Sequence, residues 1–165
     1  KIFYFSSILA MLLSVFLVGA SQANDRKLLN VISVTGECLN LVIEEHSYPC
    51  KDYLMQTAYD DGRIGFYFVS DDDKGKIVTF SGLGQQQAVV SDNSRLQPID
   101  GVIGKAGIIE VEGECFFENP FIGPARIECA AKSAGGDIYS AHFLTDGEAP
   151  EINNVEEWPV HGASV

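Results

Sequence analysis

Apolar and polar residues alternate with a period of two through much of this chain, and this alternation predicts β-strands. The clearest segment is 109–117, where apolar residues occupy one face and glutamates dominate the other. A second segment, 125–131, alternates in the same way. Such a period places one face in a core and the other in water. The two segments are separated by a turn around 120–123, so we predict that they form a β-hairpin.

Shorter segments with strand character cover most of the remaining chain. They are 29–35, 39–44, 54–58, 63–70, 76–81, 85–90, 96–99, 102–103 and 137–145. No segment shows a helical period of 3.6 residues. Short strands about 8–12 residues apart are typical of barrels and sandwiches. We therefore predict an all-β fold: a small antiparallel β-barrel, or a β-sandwich, of about eight strands. The short connections favour a meandering barrel.

The first 23 residues have the pattern of a secretory signal peptide. Lys1 precedes the apolar run Ile8–Val18, and Ser21-Gln22-Ala23 fits the small-residue cleavage rule. An uncleaved membrane anchor is the alternative. We predict a signal peptide at 1–23, a single β-domain at 24–147 and an acidic, flexible tail at 148–165. The expected location is the periplasm or the outside of the cell.

Export changes how the four cysteines are interpreted. Cysteines in oxidising compartments form disulfides, and four of them allow three pairings. We predict the local pairs Cys38–Cys50 and Cys115–Cys129, giving two hairpin disulfides of about 3 kcal/mol each. Pairing Cys115 with Cys129 also sets residue 117 opposite residue 127, in agreement with the apolar pattern. The spacings do not suit zinc, and we expect no metal and no cofactor.

The charge is strongly acidic, with 11 Lys and Arg against 23 Asp and Glu and a net charge of −12. Lys1 leaves with the signal peptide, which makes the domain one unit more acidic. Such a charge repels nucleic acid and anionic membrane surfaces and attracts basic proteins. We expect a basic protein partner, no nucleic acid, and no membrane contact after signal cleavage. The oligomeric state stays open.

A candidate partner-binding surface lies on the predicted hairpin. Phe121 and Ile122 stand at its tip, where polar residues are usual, and Phe116 lies close by. Glu112 and Glu114 belong to an acidic outer face of the same hairpin. Two alternatives remain: Phe121 folds back to close the end of the barrel, and the glutamates form an ordinary solvated face.

The motifs of common catalytic sites are absent from the sequence. It contains no GxSxG, HExxH, phosphate-binding loop or cysteine–histidine signature. The histidines His46, His142 and His161 are scattered. We therefore expect a protein without enzymatic activity.

Two parts of the chain resemble known families. Segments such as GRIGFYF and CFFENPFIGPARIEC resemble small exported two-disulfide β-proteins of Gram-negative bacteria, a group without an assigned activity. The segment from Ser133 through Gly135 to Tyr139 is similar to the Ser-x-Gly…Tyr loop of periplasmic lysozyme inhibitors, with an additional glycine and a different cysteine arrangement. Our first hypothesis is an exported β-domain that binds a partner through the hairpin. The alternatives are an inhibitor of lysozyme or another basic hydrolase, and a carrier of a small apolar ligand.

Overall fold

The computed structural model describes residues 26–72 and 75–154, and the predicted signal peptide lies outside them. Eleven β-strands occupy most of this part of the chain: β1 Leu28–Ile43, β2 His46–Ser47, β3 Tyr53–Tyr59, β4 Arg63–Val69, β5 Ile77–Leu83, β6 Ala88–Ser91, β7 Ser94–Gly104, β8 Gly107–Glu118, β9 Arg126–Ser133, β10 Ile138–Thr145 and β11 Glu151–Asn154. Two short 3₁₀ turns cover Gly84–Gln86 and Pro120–Ile122. In the described residues no helix has the length and apolar character needed to cross a membrane.

Eight of these strands close into an antiparallel barrel, which confirms the predicted fold class. The order around the barrel is β1, β3, β4, β5, β7, β8, β9 and β10, and β10 pairs back onto β1. Strands β2, β6 and β11 lie outside this ring and pair with β1, β7 and β1, respectively. Closure leaves the eight barrel strands without a continuous free edge.

Strand β1 is longer than the sequence predicted, because two predicted strands are one strand of 16 residues. Gly36 makes this continuity feasible. A Cβ atom at this position would lie 2.1 Å from the carbonyl oxygen of Leu144, so only glycine permits the close approach of β1 and β10. An irregularity between Cys38 and Asn40 then shifts the register of this pair.

The beginning of β1 has a second partner that the sequence did not predict. Strand β11 pairs with it from Asn30 to Ser33. Its residues Glu151–Asn154 belong to the segment 148–165 that we predicted to be a flexible tail, and that prediction is wrong for these four residues. The remainder of the segment, from residue 155 onward, lies outside the described residues.

Side chains fill the interior of the barrel. The largest ones that are fully buried are aromatic and come from strands on several sides: Phe66, Phe68, Phe80, Tyr139 and Phe143. Phe68 and Phe80 meet edge to face, with ring centroids 5.8 Å apart. Each buried aromatic or large aliphatic side chain contributes about 1.5–3 kcal/mol through removal of apolar surface from water. The interior is therefore a packed hydrophobic core.

Both predicted disulfides are present. Cys115 and Cys129 are directly opposite each other on β8 and β9, and the same register places Phe117 opposite Ile127, as predicted. The Cys38–Cys50 bridge joins β1 to the loop that precedes β3. Cys50 also forms an isolated β-bridge with Ser70. This second disulfide thus connects a loop to the barrel wall, whereas the first connects the two strands of a hairpin.

Candidate functional site

The β8–β9 hairpin positions every residue of the predicted partner-binding surface. Its two strands pair from Val111 opposite Ser133 to Phe117 opposite Ile127. The disulfide lies within this paired region, with Cys115 completely buried and Cys129 3% exposed. Because its sulfur atoms face the core, the covalent link holds the hairpin without occupying its outer face.

The turn at the tip of the hairpin is held by local hydrogen bonds. The side-chain oxygen of Asn119 accepts a bond from the backbone N–H of Phe121 (3.0 Å), and Pro120 begins the 3₁₀ turn. Gly123 has φ 135°, a conformation that residues with a Cβ atom rarely adopt. The backbone N–H of Asn119 also donates to the carbonyl of Asn93 (2.8 Å). The tip is therefore linked to the β6–β7 turn beside it.

The far side of the turn is anchored on β10. The N–H of Ala125 donates to the hydroxyl of Thr145 (2.7 Å), and the N–H of Thr145 donates back to the carbonyl of Ala125 (2.9 Å). Both residues are buried. With the disulfide and the Asn119 bonds, these contacts fix the tip on both sides.

Phe121 and Ile122 project from this fixed turn into solvent. Their exposed fractions are 51% and 61%. The alternative in which Phe121 folds back to close the barrel is therefore wrong. Large apolar side chains held in water carry a free-energy cost that contact with another surface would remove, which is why such residues often mark interaction sites.

The outer face of the hairpin has a mixed character. Phe116 is half-buried, and the guanidinium of Arg126 lies 5.0 Å from its ring centroid in a cation–π contact. Arg126 also approaches the carboxylates of Glu118 (3.6 Å) and Glu128 (3.8 Å), and Glu128 lies 3.3 Å from a ring nitrogen of His142. Phe116 is thus partly covered by a charged network.

The two glutamates predicted for this surface lie farther from the tip. Glu112 and Glu114 are both exposed on the outer face of β8, and in the described part of the chain neither forms an ion pair. They stand about 13–20 Å from the tip residue Glu118 along the strand, at about 3.3 Å per residue. The structure therefore places Phe121 and Ile122 on the turn and the two acidic residues on a separate part of the same hairpin.

Two of the three residues predicted for the inhibitory loop, Ser133 and Tyr139, are buried. Tyr139 is only 1% exposed and belongs to the core, and burial raises the pKa of its phenol. The hydroxyl of Ser133 donates to the carboxylate of Asp137 (3.0 Å) and accepts from the backbone N–H of Asp137 (3.0 Å). Of the three residues predicted for this loop, Gly135 alone is exposed. Ser133 and Tyr139 therefore cannot enter an enzyme cleft while this fold is intact.

Comparisons with known proteins add no assignment, since no protein-family model, curated protein or solved structure matches the chain. Within the described ranges, no three or more His, Cys, Asp or Glu side chains are grouped so that they could hold a metal ion. The surface carrying Phe121 and Ile122 is the candidate site that the geometry favours.

Sequence reasoning missed one neighbour of this site. Strand β6 lies beside the tip, because its turn to β7 is hydrogen-bonded to Asn119, and it carries the exposed residues Val89 and Val90. The sequence signal was present as a run of two valines, but it was interpreted as part of a barrel strand. The structure instead places β6 outside the ring, so exposed apolar side chains at this end of the barrel lie on β6 as well as on the hairpin tip.

Proposed function

We propose that this protein is an exported, non-enzymatic β-barrel domain that binds a basic protein partner through the tip of the β8–β9 hairpin. The observation that carries the proposal is the exposure of Phe121 and Ile122 on a turn fixed by hydrogen bonds and a disulfide. A surface ordered before binding loses little conformational entropy when a partner docks. Two disulfides fit the oxidising environment outside the cytoplasm, in accordance with the signal pattern at 1–23.

The charge supports a basic partner over a second copy of the chain. At −12, two copies repel each other, whereas a cationic protein is attracted and its encounter accelerated. Glu112 and Glu114 contribute to this field from exposed positions with no ion pair in the described residues. The tip would then supply affinity, and the acidic face would supply a salt-dependent association rate.

The size of the tip contribution follows from its exposure. A Phe and an Ile side chain exposed by half or more present together about 200 Å² of apolar surface, so complete burial contributes at most about 5 kcal/mol. Truncation of both side chains to serine should therefore weaken binding by up to about several thousandfold, and by about tenfold if a partner buries only about a quarter of this surface.

The experiment is an affinity capture from exported proteins with the oxidised domain, residues 24–165, followed by a Kd measurement with the captured basic protein. Phe121→Ser/Ile122→Ser is compared with Ile77→Ser/Ile138→Ser, a control pair of exposed apolar residues at the opposite end of the barrel. We expect only the tip variant to lose the partner. Equal binding by both variants would remove the tip from the function.

The structure supports the two alternative functions to different extents. A basic hydrolase would satisfy the partner requirements, and lysozyme turnover with and without the tip variant tests this class directly; the Ser133–Tyr139 segment does not support it. The carrier hypothesis lacks support, because buried aromatic side chains fill the barrel interior. Native mass spectrometry of the purified domain tests for a retained ligand.

A further inference from the structure

An open cavity of about 770 Å³ lies on the outer wall of the barrel, away from the hairpin tip. It spans strands β4, β5, β7, β8 and β9. Its lining includes the small residues Ser81 and Gly101 and the apolar side chains of Ile103 and Ile108. Small-molecule sites have volumes of about 300–1,000 Å³, so the cavity is large enough to hold a ligand.

One wall of the cavity is a preorganised polar cluster. The Arg63 guanidinium donates two hydrogen bonds to the carboxylate of Asp100 (2.6 and 2.9 Å) and a third to the hydroxyl of Ser81 (3.2 Å). The Ser81 hydroxyl in turn donates to the carbonyl of Ile64 (3.0 Å). The hydrogen bonds to Asp100 also raise the pKa of Arg63. The charges of this wall already compensate each other and stay fixed.

Three further charged side chains line the cavity and lack such compensation. They are Glu110, Glu112 and Lys132, and none forms an ion pair with another described residue. Arg26 also lines the cavity, but its guanidinium is paired with the carboxylate of Asp61 (2.8 Å), so its charge is already compensated. Lys132 is directly opposite Glu112 on the neighbouring strand, and Glu110 lies two residues along β8, about 7 Å away. Two carboxylates and one ammonium group therefore face the same space at a separation of several ångströms.

We infer that this cavity binds a short zwitterionic peptide, with its ammonium group at Glu110 and Glu112 and its carboxylate at Lys132. A purely cationic ligand would be repelled by Lys132, and a purely anionic ligand would be repelled by both glutamates. A neutral ligand would cover charged groups without neutralising them, which costs free energy. A peptide with both termini free matches all three charges. This site is separate from the hairpin tip and does not depend on the proposed function, although Glu112 also belongs to the acidic face described there.

The dimensions of the cavity favour a peptide over a single amino acid. An extended tripeptide spans about 10 Å, enough to reach from the glutamates to Lys132. The exposed side chain of Ile108 and the adjacent Ile103 offer an apolar contact for one side chain of the ligand.

The test is isothermal titration of the oxidised protein with three probes at low ionic strength. The probes are Ala-Leu-Ala with free termini, its N-acetylated form and its C-amidated form. We expect 1:1 binding of the free peptide, and at least tenfold weaker binding of each blocked form. Equal binding of all three forms, or no binding of the free peptide at millimolar concentration, would overturn the inference.

Two charge-neutralising variants assign the termini. Glu110→Gln should weaken binding of the free and amidated peptides, which keep the ammonium group, and should not weaken binding of the acetylated form. Lys132→Gln should weaken binding of the free and acetylated peptides and should not weaken binding of the amidated form. Glu37→Gln and Lys105→Gln are matched controls, because both residues are exposed and neither lines the cavity. Equal losses in these controls would show a general charge effect and contradict the site.

Discussion

Removal of the Cys115–Cys129 disulfide should cost more free energy of unfolding than removal of the Cys38–Cys50 disulfide. The perturbations are the two double variants Cys115→Ala/Cys129→Ala and Cys38→Ala/Cys50→Ala. The bridges span 14 and 12 residues along the sequence. In the chain-entropy account each stabilises the fold by about 3 kcal/mol, and the difference in loop length contributes only about 0.1 kcal/mol. Loop closure therefore does not distinguish the two bridges.

Burial distinguishes them. Cys115 and Cys129 are almost completely buried, whereas Cys38 and Cys50 are half-buried at the edge of the core. Truncation to alanine removes one sulfur atom per residue, and a buried atom of this size contributes about 1 kcal/mol through lost apolar burial and the resulting cavity. The hairpin variant should thus lose about 5 kcal/mol and the other about 4 kcal/mol.

The assay is equilibrium unfolding in urea at 25 °C, monitored by circular dichroism and by tyrosine fluorescence. The slope of the transition must agree between variants, since a changed slope reports a change in the denatured state. If the Cys38/Cys50 variant were destabilised as much as the Cys115/Cys129 variant or more, the assignment of the difference to core burial would be refuted.

Three further predictions follow from individual side chains. Gly113→Ala should destabilise the protein by more than about 2 kcal/mol, because the new Cβ atom would lie 2.3 Å from the carbonyl oxygen of Ala130. Gly104→Ala is the control, because a Cβ atom at this position would have no other heavy atom within 4 Å, and it should change the free energy of unfolding by less than about 0.5 kcal/mol in the same urea assay. Hydrogen bonds from the Thr35 side chain and the Glu148 N–H lower the pKa of Asp146, so this carboxylate stabilises the fold at a pH above its unfolded pKa, and the contribution is lost as the pH falls through its folded pKa. Thr35→Val should raise the folded-state pKa of Asp146 in an NMR titration. An unchanged pKa would contradict the hydrogen bond from Thr35. Burial and the hydrogen bond with Tyr59 (2.8 Å) raise the pKa of Tyr67, and burial also raises the pKa of Tyr139. One of the components that ionise at high pH in an alkaline absorbance titration should therefore disappear in Tyr67→Phe. Loss of a component at the ordinary tyrosine pKa instead would contradict the assignment.

The sequence predicted the β8–β9 hairpin in detail because two independent signals coincide there. The apolar period and the spacing of Cys115 and Cys129 require the same register, and a shift by one residue would turn both cysteines to the outside. Where only one signal was present, the predicted strand boundaries were wrong. The segment around Gly36 contains a glycine and two polar residues, which favour a turn locally, but pairing with β3 and β10 on its two sides keeps the chain extended.

Other features depend on tertiary contacts that have no local signal. Strand β11 consists of Glu151, Ile152 and two asparagines, which do not alternate, and it is extended because β1 provides an edge for pairing. The outer cavity also could not be predicted. It requires Arg63 and Asp100, 37 residues apart in the sequence, to meet across strands β4, β5 and β7.

The β8–β9 hairpin contributes residues to both candidate binding surfaces, and its geometry separates them. Glu110 at the cavity and Phe121 at the tip are 11 positions apart, or about 30 Å along an extended hairpin. A tripeptide of about 10 Å cannot reach both, so a ligand in the cavity leaves the tip free for a protein partner. The buried Cys115–Cys129 bridge lies between them and limits movement of one end relative to the other. Coupling between two sites requires an element with two discrete arrangements, and a disulfide-linked strand pair lacks one. The tip and the cavity should therefore bind independently except through the charge of Glu112, which both the acidic face and the cavity use. Saturating Ala-Leu-Ala should leave the dissociation rate of the partner unchanged, because that rate depends on the tip.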